Sequence, residues 1–108
     1  MVDLGEALTS LFETIEARKT ADPHSSYTAK LLAAGPAKCA KKLGEEGVET
    51  ALAGVSGDRD ELIHESADLL YHLSVLWAAC DVRPSEVAEI LAQREGVSGL
   101  VEKASRAD

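Results

Sequence analysis

Apolar residues recur along this chain at helical rather than alternating spacing. Leu4, Ala7, Leu8, Leu11 and Ile15 repeat every three or four positions, which predicts a helix over 3–18. The polar stretch Ala21-Asp22-Pro23-His24-Ser25-Ser26 has the chemistry of a turn. Tyr27–Ala34 reads as a short helix capped by Ser25 or Ser26. Gly35-Pro36 breaks the pattern and restarts it, with Pro36 suited to the first turn of a longer helix from about 37 to 53. Gly54-Val55-Ser56-Gly57-Asp58 reads as a turn. Asp58 followed three positions later by Glu61 resembles a capping box and opens a helix from about Arg59 to about Cys80. Pro84 and Glu86 open another over Ser85–Gln93; Gly96-Val97-Ser98-Gly99 ends it, and Leu100–Arg106 forms a last turn or a tail. No alternating run is long enough for a strand, and there is no internal repeat. The expectation is one all-α domain over 1–108, a bundle of four or five helices.

Composition narrows the partners. Of 108 residues, 45% are hydrophobic, enough for a real core, and 28% are charged. A net charge of −8 argues against nucleic acid or an anionic membrane as the main partner, since both repel it. The longest wholly apolar run is Val75–Cys80, far short of the ~20 residues that span a bilayer. Residues 1–6 are acidic and lack a basic leader, so no signal peptide is expected. Cys39 and Cys80 are too few for a disulfide scaffold and lack metal-ligand spacing. They read as reduced, buried thiols in a cytoplasmic protein.

The sharpest signal lies in the two longest helices. On a helical wheel, Ala37, Ala40, Gly44, Gly47, Val48, Ala51 and Leu52 form one apolar, small-residue face, with Lys38, Lys42, Glu45 and Glu49 beside it. In the next helix Glu61, Glu65, Asp68 and His72 share a stripe that runs on into Val75, Leu76 and Ala79. That helix is apolar almost all round in its C-terminal half and therefore central, so its carboxylates point towards other protein. Buried carboxylates are costly unless a cation compensates them. Glu46/Glu49 and Glu65/Asp68, each at i, i+3 spacing, face each other if the short turn at 54–58 makes the helices antiparallel. Such all-oxygen clusters suit Mg²⁺ or Mn²⁺. Taken singly, E-E-x-x-E reads first as a solvated helix face, and E-x-x-D is equally weak as a signal.

A basic window precedes the acidic motif. Residues 23–44 carry Lys30, Lys38, Lys41 and Lys42 and no acid. With Ser26, Tyr27, Thr28 and a helix start at Gly35-Pro36, they offer phosphate ligands. Lys41 and Lys42 can equally pair with Glu45 and Glu46 along the helix. His72, four residues beyond Asp68, reads as a core-edge histidine bonded to a carboxylate.

These residues carry a resemblance. Glu45-Glu46-Gly47-Val48-Glu49 followed by Glu65-Ser66-Ala67-Asp68 resembles the E-E-x-x-E…E-x-x-D pattern of the MazG-like all-α nucleotide pyrophosphohydrolases. The surrounding text is more specific. Ser26–Leu32, Gly35, Lys38–Glu46, Glu65–Leu73 and the ending Arg94–Leu100 with Glu102–Arg106 look like the phosphoribosyl-ATP pyrophosphohydrolase family, over nearly the whole chain from about Leu4 to Arg106. Departures are small: Gly47 stands where Ala is expected and Cys39 where a branched aliphatic is expected. A mid-helix Gly costs ~1 kcal/mol relative to Ala.

The resemblance implies hydrolysis of phosphoribosyl-ATP to phosphoribosyl-AMP and pyrophosphate. It also implies dependence on Mg²⁺ (with Mn²⁺ as a substitute) and an intertwined or tightly packed homodimer. By position in the motif, Glu46, Glu49, Glu65 and Asp68 become metal ligands, and Glu45 the residue that orients or deprotonates water. Lys38, Lys41 and Lys42 become phosphate contacts, Lys42 the best placed, and Ser26, Tyr27 and Thr28 substrate contacts. Ser98, Lys103 and Arg106 match the family text without a derivable role. Two other functions share these features: a housekeeping (d)NTP pyrophosphohydrolase with the same metal motif, and a helical interaction module whose carboxylates only make salt bridges.

Overall fold

A computed structural model describes residues 1–96, and among them the chain forms five α-helices and no strand. Their ranges are α1 Leu4–Ala17, α2 Tyr27–Ala34, α3 Pro36–Ser56, α4 Arg59–Ala79 and α5 Pro84–Arg94, with a 3₁₀ turn at Arg18–Thr20. The all-α expectation holds. The segment expected at Leu100–Arg106 lies outside the described residues. No helix of the described residues is long and apolar enough to cross a membrane.

Capping chemistry sets the helix starts. Asp3 accepts from the backbone amides of Gly5 and Glu6 at α1, and Ser26 accepts from Ala29 at α2. Asp58 accepts from the Glu61 amide at α4. At α5, Pro84 occupies the first turn and the Glu86 carboxylate takes the Arg83 amide at 3.0 Å. Helix α3 runs a turn further than its sequence suggests. Gly54 is tolerated inside the helix at a modest propensity cost, and the stop falls to Gly57, whose φ of +80° is the left-handed geometry of a C-terminal cap. Gly35, at φ +94°, makes the tight corner between α2 and α3.

The core gathers at one end of the molecule. Phe12 and Ile15 of α1, Leu31 of α2, Cys39 of α3 and Val75 and Ala78 of α4 bury one another. Ser74, also buried, satisfies its hydroxyl on the Leu70 carbonyl. α3 and α4 pack along each other and run back antiparallel. Thr50 of α3 reaches the backbone of Glu65, and Gly54 lies opposite Leu62.

Among the described residues nothing covers the apolar face of α3 at Val48 and Leu52; both are exposed, as are Val55 near the helix end and Leu62 and Ile63 of α4. The face that α3 packs inward holds Cys39, Glu46, Thr50 and Ala53 instead, because this stripe meets α4. One expectation about burial is corrected. Of the two thiols, Cys39 is buried and donates to the Leu31 carbonyl, whereas Cys80 is exposed at the C-terminal end of α4.

Candidate functional site

The α3–α4 hairpin brings three carboxylates together. One oxygen each from Glu46, Glu49 and Glu65 lie within 4.8 Å of one another. Glu49 is exposed, and Glu46 and Glu65 are half-buried. The Oε2 atoms of Glu46 and Glu65 are buried and accept no hydrogen bond among the described residues. Two acceptor oxygens cannot bond to each other without a cation or a proton between them. The pKa of Glu65 is accordingly raised above the usual carboxylate value. The first cause is the hydrogen bond that a proton on Glu65 makes to Glu46; desolvation and the negative charges of Glu46 and Asp68 add to it, and a hydrogen bond from Glu49 opposes it.

Thr50 builds this cluster, and sequence reasoning missed it. Its single hydroxyl proton is shared between the carbonyl of Glu46 at 2.8 Å and that of Glu65 at 3.1 Å. One side chain thereby ties together the two helix turns that carry the unpartnered oxygens. The only signal in the sequence was its place four residues after Glu46, which is where a threonine hydroxyl finds its own helix's carbonyl. The second bond, across to α4, needs the structure.

The other expected residues distribute unevenly. Asp68 is exposed, one turn along α4 from Glu65, outside the close trio but near enough to act electrostatically on Glu65 and His72. Glu45 is exposed, with Oε2 3.9 Å from Lys42 Nζ. Lys42 therefore sits beside the acidic stripe, as its wheel position suggested. Lys38 and Lys41 are exposed. At the start of α2, the Ser26 hydroxyl is occupied as a cap and Thr28 Oγ1 lies 2.6 Å from the Tyr71 hydroxyl. Tyr27 is exposed and meets His72 edge-on, with ring centroids 6.4 Å apart. This contact ties the α2 start to the α4 stripe. Ser98, Lys103 and Arg106 lie outside the described residues.

His72 departs from its expected role. It is buried, but among the described residues Nδ1 has no hydrogen-bond partner, so no carboxylate there satisfies that nitrogen. Its pKa is lowered, first by burial; Lys42 pushes the same way, and Asp68, Glu45 and Glu49 oppose it.

Fold and site together define a helical protein with an oxygen-donor cluster, fit for a hard cation, on two antiparallel helices. The comparisons with known proteins narrow that class. The family model described as phosphoribosyl-ATP pyrophosphohydrolase matches residues 8–95. A Cereibacter sphaeroides protein named phosphoribosyl-ATP pyrophosphatase is 59% identical over 99 residues, covering 92% of this chain and 96% of the relative. A protein of the same name from Paracoccus denitrificans is 61% identical over 92% of each chain, and one from Azospirillum brasilense is 57% identical over 92% of this chain and 89% of its own. The chain belongs to the phosphoribosyl-ATP pyrophosphohydrolase family.

Proposed function

We propose that this enzyme hydrolyses phosphoribosyl-ATP to phosphoribosyl-AMP and pyrophosphate, the second step of histidine biosynthesis, at the α3–α4 carboxylate cluster. Family membership supports the reaction. The observation that carries the location is the pair of buried, unpartnered oxygens on Glu46 and Glu65, within reach of Glu49. Glu46, Glu49 and Glu65 would hold Mg²⁺ (or Mn²⁺), with Asp68 one turn away as a further ligand. The bound cation supplies charge neutralisation for the phosphates and a more acidic water. The protein's own part is positioning. Glu45, exposed beside Lys42, orients a water and takes its proton as the water oxygen bonds to the α-phosphorus. The bond to the pyrophosphate oxygen breaks in line, and Lys42 faces the charge left on the phosphates. Lys38, Lys41 and the Ser26–Thr28 turn supply outlying substrate contacts, the exposed Tyr27 foremost.

The working unit is a homodimer in this reading. Val48, Leu52 and Val55 of α3 and Leu62 and Ile63 of α4 leave an apolar surface that a second copy would cover. The free thiols of Cys39 and Cys80 fit the cytoplasmic setting of this reading. Pyrophosphate release from phosphoribosyl-ATP, compared with ATP, dATP and dUTP in Mg²⁺ and in EDTA, tests the reaction. Fast Mg²⁺-dependent release from phosphoribosyl-ATP alone is expected. Preference for the other nucleotides would move the chain to a housekeeping role, and no release from any would make the carboxylates structural. Light scattering on Leu52→Asp tests the dimer: the wild type is expected at twice the chain mass and the variant at one chain mass.

A further inference from the structure

The scheme above leaves His72 unused, although its surroundings are unusual. Its side chain is nine-tenths buried, at 9% exposure, and its Nδ1 has no partner. An orphaned buried N–H is rarer and more costly than an under-used acceptor. The proton of the neutral ring therefore belongs on Nε2, and the ring is a hydrogen-bond donor. Its direction is fixed by two edge contacts: Tyr71 on its own helix, centroids 5.0 Å apart, and Tyr27 from the start of α2. Tyr71 is itself held by Thr28 at 2.6 Å. His72 follows Glu65 and Asp68 on α4 at i+7 and i+4, so its position lies on the stripe of the carboxylate cluster, and Asp68, Lys42, Glu45 and Glu49 are near enough to act on it electrostatically. Within that group Lys42 is the cation and His72 adds a donor that carries no charge to repel a metal ion.

We infer that His72 is a substrate-binding residue whose Nε2–H donates to a non-bridging phosphate oxygen of the nucleotide beside Lys42, with Tyr27 closing the solvent side of the ring. The inference rests on the reading that the carboxylate cluster is the reaction site. It assigns a neutral phosphate donor to α4, the helix whose other contribution is carboxylate.

The shapes of amide side chains make it testable. Glutamine places its NH₂ near the Nε2 position, asparagine nearer Nδ1, and leucine supplies neither. His72→Leu and His72→Asn are expected to lose about 10- to 100-fold in kcat/KM, the effect of one hydrogen bond to a charged group. His72→Gln is expected to stay within about threefold of wild type by retaining a charge-independent donor. Magnesium pyrophosphate, titrated calorimetrically without turnover, is expected to bind more weakly to the leucine variant by the same factor. Wild-type kcat/KM and wild-type pyrophosphate affinity in His72→Leu would overturn the inference, as would equal loss in the glutamine and leucine variants with unchanged melting. Should the variants fail to fold, ¹⁵N NMR of the wild-type imidazole decides. A bare Nδ1, and an Nε2 proton that shifts on adding magnesium pyrophosphate, are expected; an unmoved proton overturns the inference. Glu49→Gln run alongside separates the two readings. If it is inactive while every His72 variant is fully active, only the histidine inference falls. If it is fully active, the site reading falls and takes this one with it.

Discussion

Helix α4 is two helices in physical terms. Its C-terminal half supplies His72, Ser74, Val75 and Ala78, all buried, the last two packed with Phe12, Ile15, Leu31 and Cys39 from three other helices. Its N-terminal half, from Arg59, has Leu62 and Ile63 exposed, Glu65 with an oxygen that finds no partner, and Asp68 open to solvent. One half is fixed by burial. The other is fixed by the hairpin with α3 and by the two hydrogen bonds of Thr50. The contrast teaches that the hydrophobic core anchors a rigid rod, and the rod then carries charge to a place where burial alone would never put it.

Changes at the two halves should therefore separate activity from stability. The largest effect is expected at Glu65→Gln. Turnover should fall by more than the roughly 10- to 100-fold typical of losing a partner of a metal ligand. Thermal stability in chelator should hold or rise, because one of two opposed carboxylates is gone. Steady-state pyrophosphate release and a melt in EDTA check both, and a lowered melt with intact turnover would erase the distinction between the halves. Val75→Ala should do the reverse. Removing two buried carbons costs about 2 kcal/mol, read as a lower urea midpoint at fixed protein concentration, with turnover per folded molecule unchanged.

Thr50→Val sits between the halves and sharpens the comparison. It keeps the shape and removes both bonds to the carbonyls of Glu46 and Glu65, costing about 1 kcal/mol. Mg²⁺ affinity, followed by calorimetry, should fall several-fold while the core is untouched. The smallest effect is that of pH. The folded-state pKa of Glu65 is raised above its unfolded value, so its contribution to stability is fully present below the ordinary glutamate pKa and is lost as pH rises through the raised one. The metal-free protein should lose stability across that window, and Mg²⁺ affinity should rise across the same window as the competing proton leaves. Melts in EDTA and metal titrations over a pH series check the two slopes, which must have opposite signs.

The helices were legible because local chemistry decides them. Asp3, Ser26, Asp58 and Pro84 start them as their types suggest. Gly54 misled because a glycine inside a helix costs too little to end it, whereas Gly57 ends it by adopting a conformation few other residues accept. The acidic motif was legible as a spacing of two pairs; the hairpin brings Glu46, Glu49 and Glu65 together and leaves Asp68 exposed outside the close trio. Three things were not. The exposed face of Val48 and Leu52 looks on a wheel like any core face, since periodicity says which residues share a side and not what covers it. The cross-helix bond of Thr50 depends on the register of the hairpin, which no single helix encodes. Cys80 reads as apolar but falls at the end of α4, where the chain turns back into solvent.

If the oxygens of the Glu46–Glu65 cluster hold a divalent ion as proposed, they would also couple the chain's folding to its surroundings by mass action. A divalent ion that binds them, and not the unfolded chain, adds stability with the logarithm of its free concentration. Each tenfold rise well above the dissociation constant contributes about 1.4 kcal/mol. On that reading a melting temperature of this protein would be a measure of ionic supply as much as of sequence, and the same covalent chain in chelator and in millimolar magnesium would behave as two materials of different durability.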